Sequence, residues 1–128
     1  MVDKNKERER YNESAKIALD RNDFFGVNNL TLPLKVPYIF YQSVITEHAN
    51  SDSFVLEIGA GMGENTGLIL ATGARVCAID ISKDSLRVLK KRFNVDKLTT
   101  KVADMERLPF EDNSFDMVVN AGSLSYGD

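Results

Sequence analysis

Cysteine and histidine are almost missing from this 128-residue chain, which has one of each, Cys77 and His48. A single cysteine excludes an internal disulfide framework and suits a reducing cytoplasm, which is the compartment we expect. One histidine with one cysteine leaves too few ligands for a His/Cys metal centre, so no metal site is predicted. His48 is interpreted as a solvated residue at a helix end rather than as a catalytic base.

The chain also lacks long apolar runs and an excess of basic residues. No stretch is long enough to span a bilayer, and no apolar core follows the charged N-terminus as it would in a secretory signal. The net charge is −3, from 16 basic and 19 acidic residues, so no nucleic-acid surface is predicted. A length of 128 residues allows one domain at most.

The most informative stretch is Phe54 to Gly67, which reads FVLEIGAGMGENTG. An apolar run leads into Glu57, and glycines follow at alternate positions, Gly59, Gly61 and Gly63. Strand, glycine turn and helix in this order present backbone N–H groups to a ligand at the carboxyl end of a parallel strand. The spacing is not the dinucleotide fingerprint G-x-G-x-x-G, because Glu64 stands where the third glycine would fall.

Strands and helices alternate after this stretch, which predicts an α/β fold with a parallel, doubly wound, Rossmann-like sheet. Two helices are expected before it, at residues 3–21 and from Pro37 to about His48. A short extended piece is expected between Pro33 and Pro37. The second helix is predicted to pack through an apolar stripe of Val36, Ile39, Phe40 and Val44. The predicted sheet elements are strands at 53–58, 75–80, 98–103 and 115–120, with helices at 64–71 and 83–93.

Carboxylates follow the second and third predicted strands. Asp80 lies 21 residues after Gly59, where such a unit accepts hydrogen bonds from ribose hydroxyls; a plain strand-end aspartate or helix cap is the alternative. Asp104 comes at the end of the third strand, where a carboxylate can accept from an adenine amino group and an apolar neighbour can pack on the ring.

A fourth segment, LPFEDNSFDMVVNAGSLSY at residues 108–126, completes a resemblance to the class I S-adenosylmethionine-dependent methyltransferases. The chain is most similar to the N-terminal portion of the small-molecule, ubiquinone-biosynthesis-like (methyltransferase type 11) group. The resemblance implies strand order 3-2-1-4 and S-adenosylmethionine as cofactor, with S-adenosylhomocysteine as product. It implies ribose contact by Asp80, adenine contact by Asp104 with Met105 and Ile81, and contact with the methionyl part by the remaining predicted residues, Glu57, Gly59, Ala60, Gly61, Gly63, Asn120 and Ala121.

The implied reaction is in-line displacement of a methyl group onto a small-molecule acceptor, in which the protein mainly positions donor and acceptor. No catalytic residue is identified. A non-catalytic α/β binding module on the same scaffold is the alternative. Tyr11, Tyr38 and Tyr41 could line a substrate pocket, although aromatic residues at helical spacing more often belong to a core.

The resemblance covers residues 54–126, so residues 1–52 are predicted to form a helical cap and residues 53–128 a partial cofactor-binding domain. Strands five, six and seven of the family are not present in this sequence. We therefore expect either a shortened form of a longer enzyme or completion by a second molecule. The open edge of the fourth strand, which contains Met117, Val118 and Val119, would favour a homodimer.

Overall fold

The computed structural model describes residues 3–21 and 32–121. Its elements, in chain order, are α1 (Lys4–Arg21), α2 (Leu32–His48), β1 (Phe54–Ile58), α3 (Thr66–Ala71), β2 (Arg75–Asp80), α4 (Lys83–Arg92), β3 (Leu98–Val102) and β4 (Met117–Asn120). In these two ranges no helix combines the length and apolar character that a membrane crossing requires.

The four strands form one parallel sheet in the order β3-β2-β1-β4, which confirms the predicted fold class and strand order. Ile58 at the end of β1 lies beside Ile79 of β2 and Asn120 of β4, and Asp80 lies beside Val102 of β3. All four strands therefore finish at the same edge of the sheet. After β1 the chain adds β2 and β3 on one side of the sheet and then β4 on the other side. This change of direction places a crevice above the β1–β4 boundary.

Alternate residues of β1 and β2 supply two separate apolar clusters, as the two-residue repeat of a strand requires. Val55, Val76 and Ala78 pack on one face, together with buried residues of α2, α3 and α4. Leu56, Cys77 and Ile79 pack on the other, against residues that include Phe110 and Phe115. The apolar run predicted for the second strand is buried on both faces because one of these clusters packs on each face of β2.

Asp116 fixes the position of β4 beside β1. Its Oδ2 accepts the Phe54 N–H at 2.7 Å, and its own N–H donates to the Phe54 carbonyl at 2.9 Å. This double contact precedes the first ladder residue, so β4 begins at Met117 rather than at residue 115 as predicted. In the same way, α3 begins at Thr66 instead of residue 64, because the glycine turn extends further, and β3 ends at Val102.

The second helix differs most from its prediction. It begins at Leu32, so Pro33 occupies the first turn and Pro37 lies inside the helix. Pro33 is tolerated because a first-turn N–H has no partner within the helix, and Pro37 removes only one hydrogen bond, to the Pro33 carbonyl. The extended piece predicted between the two prolines is therefore wrong.

The predicted packing face of α2 is also wrong. Three residues of the proposed stripe are exposed, Val36 at 54%, Ile39 at 48% and Phe40 at 70%. The helix packs instead through Ile45, which is 1% exposed, and through Tyr41. Because α2 is apolar on several sides, its periodicity does not decide which side meets the core.

Candidate functional site

The glycine turn between β1 and α3 is held against the end of β2. Gly59, Gly61 and Gly63 have φ values of 67°, 57° and 91°, a region that side-chain-bearing residues rarely adopt. A Cβ on Gly63 would lie 2.9 Å from the Phe93 ring, so that glycine also permits close packing with α4. The Gly61 N–H donates to Asp80 Oδ2 at 2.9 Å. The turn is thus fixed beside the carboxylate predicted to bind ribose.

Asp80 organises the carboxyl end of β2 through both of its oxygens. Oδ1 accepts the Ser82 N–H at 2.8 Å, while Oδ2 accepts the Gly61 N–H. Burial raises the pKa of Asp80, and the N–H donors of Ser82, Gly61 and Ile81 oppose that shift. An ionised carboxylate has about four lone-pair sites, so Asp80 keeps acceptor capacity for a hydroxyl donor of a ligand beside these N–H contacts.

A cavity of about 300 Å³ lies above the carboxyl ends of the strands. It is lined by seven of the predicted site residues, Gly59, Gly61, Asp80, Ile81, Asp104, Met105 and Ala121. The structure therefore brings together residues from the turn after β1 and from the ends of β2, β3 and β4. Four other predicted residues are not on its wall, Glu57, Ala60, Gly63 and Asn120.

Glu57 lies beneath the glycine turn rather than in the cavity. It is 3% exposed, and its Oε2 accepts the Thr66 hydroxyl at 2.6 Å. Burial raises the pKa of Glu57 to about 7, against the lowering effect of the Thr66 hydroxyl and with smaller contributions from Glu64 and Asp80. Its geometry suits a support for the turn, since the carboxylate joins the end of β1 to the first turn of α3.

Ala60, Gly63 and Asn120 shape the site by donating hydrogen bonds to backbone carbonyls. The Ala60 N–H donates to the Ile79 carbonyl at 3.0 Å, and the Gly63 N–H closes the turn onto the Ala60 carbonyl at 3.0 Å. The Asn120 side-chain amide donates to the Ile58 carbonyl at 3.3 Å, which joins the ends of β4 and β1.

Sequence reasoning did not assign the residues that the first helix contributes to the cavity. Lys4 and Glu7 line it, as does Tyr11 of α1 with Tyr38 of α2, while Tyr41 packs against the core. The sequence favours a core position for these tyrosines over a pocket position, and among the three only Tyr41 packs against the core. Nothing in the sequence distinguishes Lys4 from the other charged residues of its helix.

Asp104 is paired with α1. Its Oδ2 accepts from Lys4 Nζ at 3.2 Å and its Oδ1 accepts the Glu106 N–H at 3.1 Å, while Lys4 also contacts the Glu106 carboxylate. The Glu106 N–H and the Lys4 ammonium lower the pKa of Asp104. The carboxylate at the end of β3 is therefore held ionised at the cavity wall.

The lining of the cavity is acidic. Four carboxylates reach it, from Glu7, Glu64, Asp80 and Asp104, and Lys4 is the one basic residue among the lining residues that the structure describes. Such a wall accepts hydrogen bonds from hydroxyl and amino groups and favours a ligand that carries positive charge.

Comparison with known proteins agrees with this geometry. The family described as "Methyltransferase domain" matches residues 55–128. The chain belongs to the methyltransferase domain family. The match contains the glycine turn and the ends of all four strands, which confirms the resemblance drawn from the motifs.

Two curated relatives illustrate the range of the family. The chain is 45% identical over 58 residues to the ribosomal RNA small subunit methyltransferase A of Anaeromyxobacter sp. (strain K), covering 45% of this chain and 20% of that protein. It is 38% identical over 74 residues to the demethylmenaquinone methyltransferase of Clavibacter sepedonicus, covering 57% of this chain and 29% of that protein. The chain thus corresponds to less than a third of each relative.

Solved structures of methyltransferases share the fold. A protein from Methanococcus maripaludis assigned as an S-adenosyl-L-methionine-dependent methyltransferase aligns over 94% of this chain and 52% of its own, with TM-score 0.67 and 19% identity. The TehB-like methyltransferase of Corynebacterium glutamicum aligns over 93% of this chain and 56% of its own, with TM-score 0.60 and 18% identity. At these identities the similarity establishes the Rossmann-like methyltransferase fold.

Proposed function

We propose that this chain binds S-adenosylmethionine and acts in the transfer of its methyl group to a small-molecule acceptor. The observation that most directly supports this proposal is the hydrogen bond from the Gly61 N–H to Asp80 at the wall of the cavity. This contact places a carboxylate that can accept from ribose hydroxyls next to the glycine turn that follows β1. The turn lies where the strand order changes direction, which is where open α/β sheets bind their ligands.

The residues around the cavity fit the parts of this cofactor. Asp80 has acceptor capacity left for ribose hydroxyls, and Asp104 can accept from an adenine amino group. Ile81 and Met105 line the same cavity and offer apolar surface to the base. The acidic lining complements the positive charge of the sulfonium and the amino group. These features support the cofactor that the family implies.

When bound, the cofactor supplies an electrophilic methyl carbon for in-line displacement. The chain's own contribution is positioning: the glycine turn, fixed by Asp80 and supported by the Glu57–Thr66 contact, holds the methionyl end. Ala121, after β4, also lies on the cavity wall. No side chain is assigned as a general base.

A small acceptor is favoured over RNA by charge. The net charge is −3, and the cavity wall carries four carboxylates and one lysine, which would repel a phosphate backbone. The demethylmenaquinone methyltransferase of Clavibacter sepedonicus is a relative whose name describes a small acceptor. The buried free thiol of Cys77 supports the cytoplasm as the compartment.

Calorimetric titration tests the proposal. We expect saturable binding of S-adenosylmethionine and S-adenosylhomocysteine by the chain, with none of NAD, because Glu64 replaces the third glycine of a dinucleotide site. Methyl transfer from radiolabelled cofactor to pooled quinols, phenols and amines, or to RNA, then identifies the acceptor. A folded chain that binds neither cofactor form contradicts the proposal, and binding without transfer to any acceptor favours the non-catalytic module.

We also propose that copies of the chain associate through β4. This strand lies at the edge of the described sheet, and Val118 on it is 57% exposed. Unpaired strand edges with apolar side chains favour pairing with another chain.

Sedimentation velocity over a concentration series is expected to show a dimer that Val118→Lys shifts toward monomer, because a charge on the edge opposes strand pairing. Val95→Lys, at another exposed valine (50%), is the matched control and should leave the equilibrium unchanged. A wild-type chain that stays monomeric throughout, or equal effects of both substitutions, would count against association through β4.

A further inference from the structure

The first helix forms part of the cavity although it lies far from the strand ends in sequence. Its Ala15 is completely buried, and the Ser82 hydroxyl at the start of α4 donates to Asn12 Oδ1 at 2.6 Å. These contacts fix the middle of α1 against the sheet domain. The first turn of α1 then reaches the end of β3, where Lys4 meets Asp104.

Lys4 is placed to contact a ligand as well as its carboxylate partners. Its side chain is 29% exposed and lies on the cavity wall. An ammonium group has three N–H donors. Among the residues that the structure describes, Asp104 and Glu106 accept hydrogen bonds from two of these donors. A third donor is thus available at the same point of the wall where Asp104 offers an acceptor.

Lys4 and Asp104 together present one hydrogen-bond donor and one acceptor, which is the complement of the acceptor and donor on the edge of adenine. Lys4 Nζ and Asp104 Oδ2 lie 3.2 Å apart, so a donor and an acceptor stand side by side. The Watson–Crick edge of adenine presents an amino donor at N6 next to an acceptor at N1, and proteins read unpaired bases through hydrogen bonds to this edge. Hypoxanthine has the opposite pattern, with a carbonyl acceptor at the first position and an N–H donor at the second.

We propose that Lys4 is a specificity-determining residue of the cofactor site, which donates to adenine N1 while Asp104 accepts from N6. This inference rests on the proposed function and adds to it a residue from outside the glycine turn and the strand ends. It makes α1 a part of the base pocket, so the helical segment before the sheet contributes to selectivity for adenine.

The test compares two ligands on the full chain, S-adenosylhomocysteine and its inosine counterpart, S-inosylhomocysteine. A matched donor and acceptor pair discriminates between bases by roughly tenfold or more. We expect the wild type to prefer the adenine ligand by that factor, and Lys4→Met to lose most of the preference. Lys4→Arg, which keeps a donor, should retain it. Lys6→Met, at an exposed lysine of the same helix, is the matched control and should behave as the wild type.

The ratio of the two affinities separates recognition from a purely structural role. If Lys4 only held α1 in place, Lys4→Met would weaken both ligands by the same factor, and an unchanged ratio overturns the inference while leaving the proposed function intact. A wild type that binds both ligands equally well also overturns it. Absence of any binding by a folded wild type removes the proposed function together with the inference.

Discussion

Replacing Asp80 by alanine is expected to raise the dissociation constant for S-adenosylhomocysteine by roughly tenfold to a hundredfold. The substitution removes the predicted acceptor for ribose hydroxyls, and a buried donor left without a partner costs about 1–3 kcal/mol. It also removes the acceptor for the Gly61 and Ser82 N–H groups, at 2.9 Å and 2.8 Å. The glycine turn loses its tether to β2 in the same step.

Isothermal titration calorimetry at fixed pH measures this effect. Asp80→Asn is the companion variant, because its one carbonyl oxygen keeps part of the acceptor capacity, and its loss should be smaller. Asp96→Ala, at an exposed aspartate away from the cavity, should leave the affinity unchanged. Wild-type affinity in a folded Asp80→Ala variant would remove Asp80 from the site.

The second large effect concerns stability and comes from Glu57. Its pKa is about 7 in the folded chain against an ordinary value of 4.5, because the carboxyl is 3% exposed. Between these two pH values the folded state therefore binds more protons than the unfolded state. The free energy of unfolding contributed by Glu57 is present below pH 4.5 and is lost as the pH rises through 7. At 1.36 kcal/mol per pKa unit, the loss is about 3 kcal/mol.

Urea unfolding of the wild type and of Glu57→Gln between pH 5 and 8 tests this expectation. Glutamine keeps the shape and an acceptor for the Thr66 hydroxyl but does not titrate. We expect the variant to gain stability relative to the wild type as the pH rises, by roughly 2.5 kcal/mol across the window. Glu47→Gln, at an exposed glutamate of α2, should show the wild-type dependence. Parallel profiles for Glu57→Gln and wild type would show that the pKa of Glu57 does not differ between the folded and unfolded states.

Local sequence patterns predicted the sheet well because each pattern is produced by a local cause. The apolar run at Val76 to Ile79 is typical of a strand buried on both faces, and glycines at alternate positions are typical of a turn. Asp80 and Asp104 follow strands that run parallel, so their meeting at one edge was predictable. The boundaries of α3 and β4 shifted because the glycine turn and Asp116 form tertiary hydrogen bonds that no periodicity shows.

The environment of Glu57 and the packing face of α2 are not determined by local sequence. A carboxylate at the end of β1 looks the same in sequence whether it faces a ligand or a neighbouring helix, and here the Thr66 hydroxyl takes it. In α2, Val36, Ile39 and Phe40 form as good an apolar stripe as Tyr41 and Ile45. In the structure Tyr41 and Ile45 pack against the core.

The sequence by itself determined the α/β class, and the resemblance that its motifs carry implied the family, the strand order and seven of the residues around the cavity. The class follows from hydrophobic periodicity, and the resemblance rests on glycine positions and on polar residues that follow strands, all of which are local features of the sequence. Only the tertiary structure decided that α1 lines the cavity and that Lys4 meets Asp104, 100 residues away in the chain. A contact of that kind depends on how α1 packs on α4, and the packing is set by the whole core rather than by any segment.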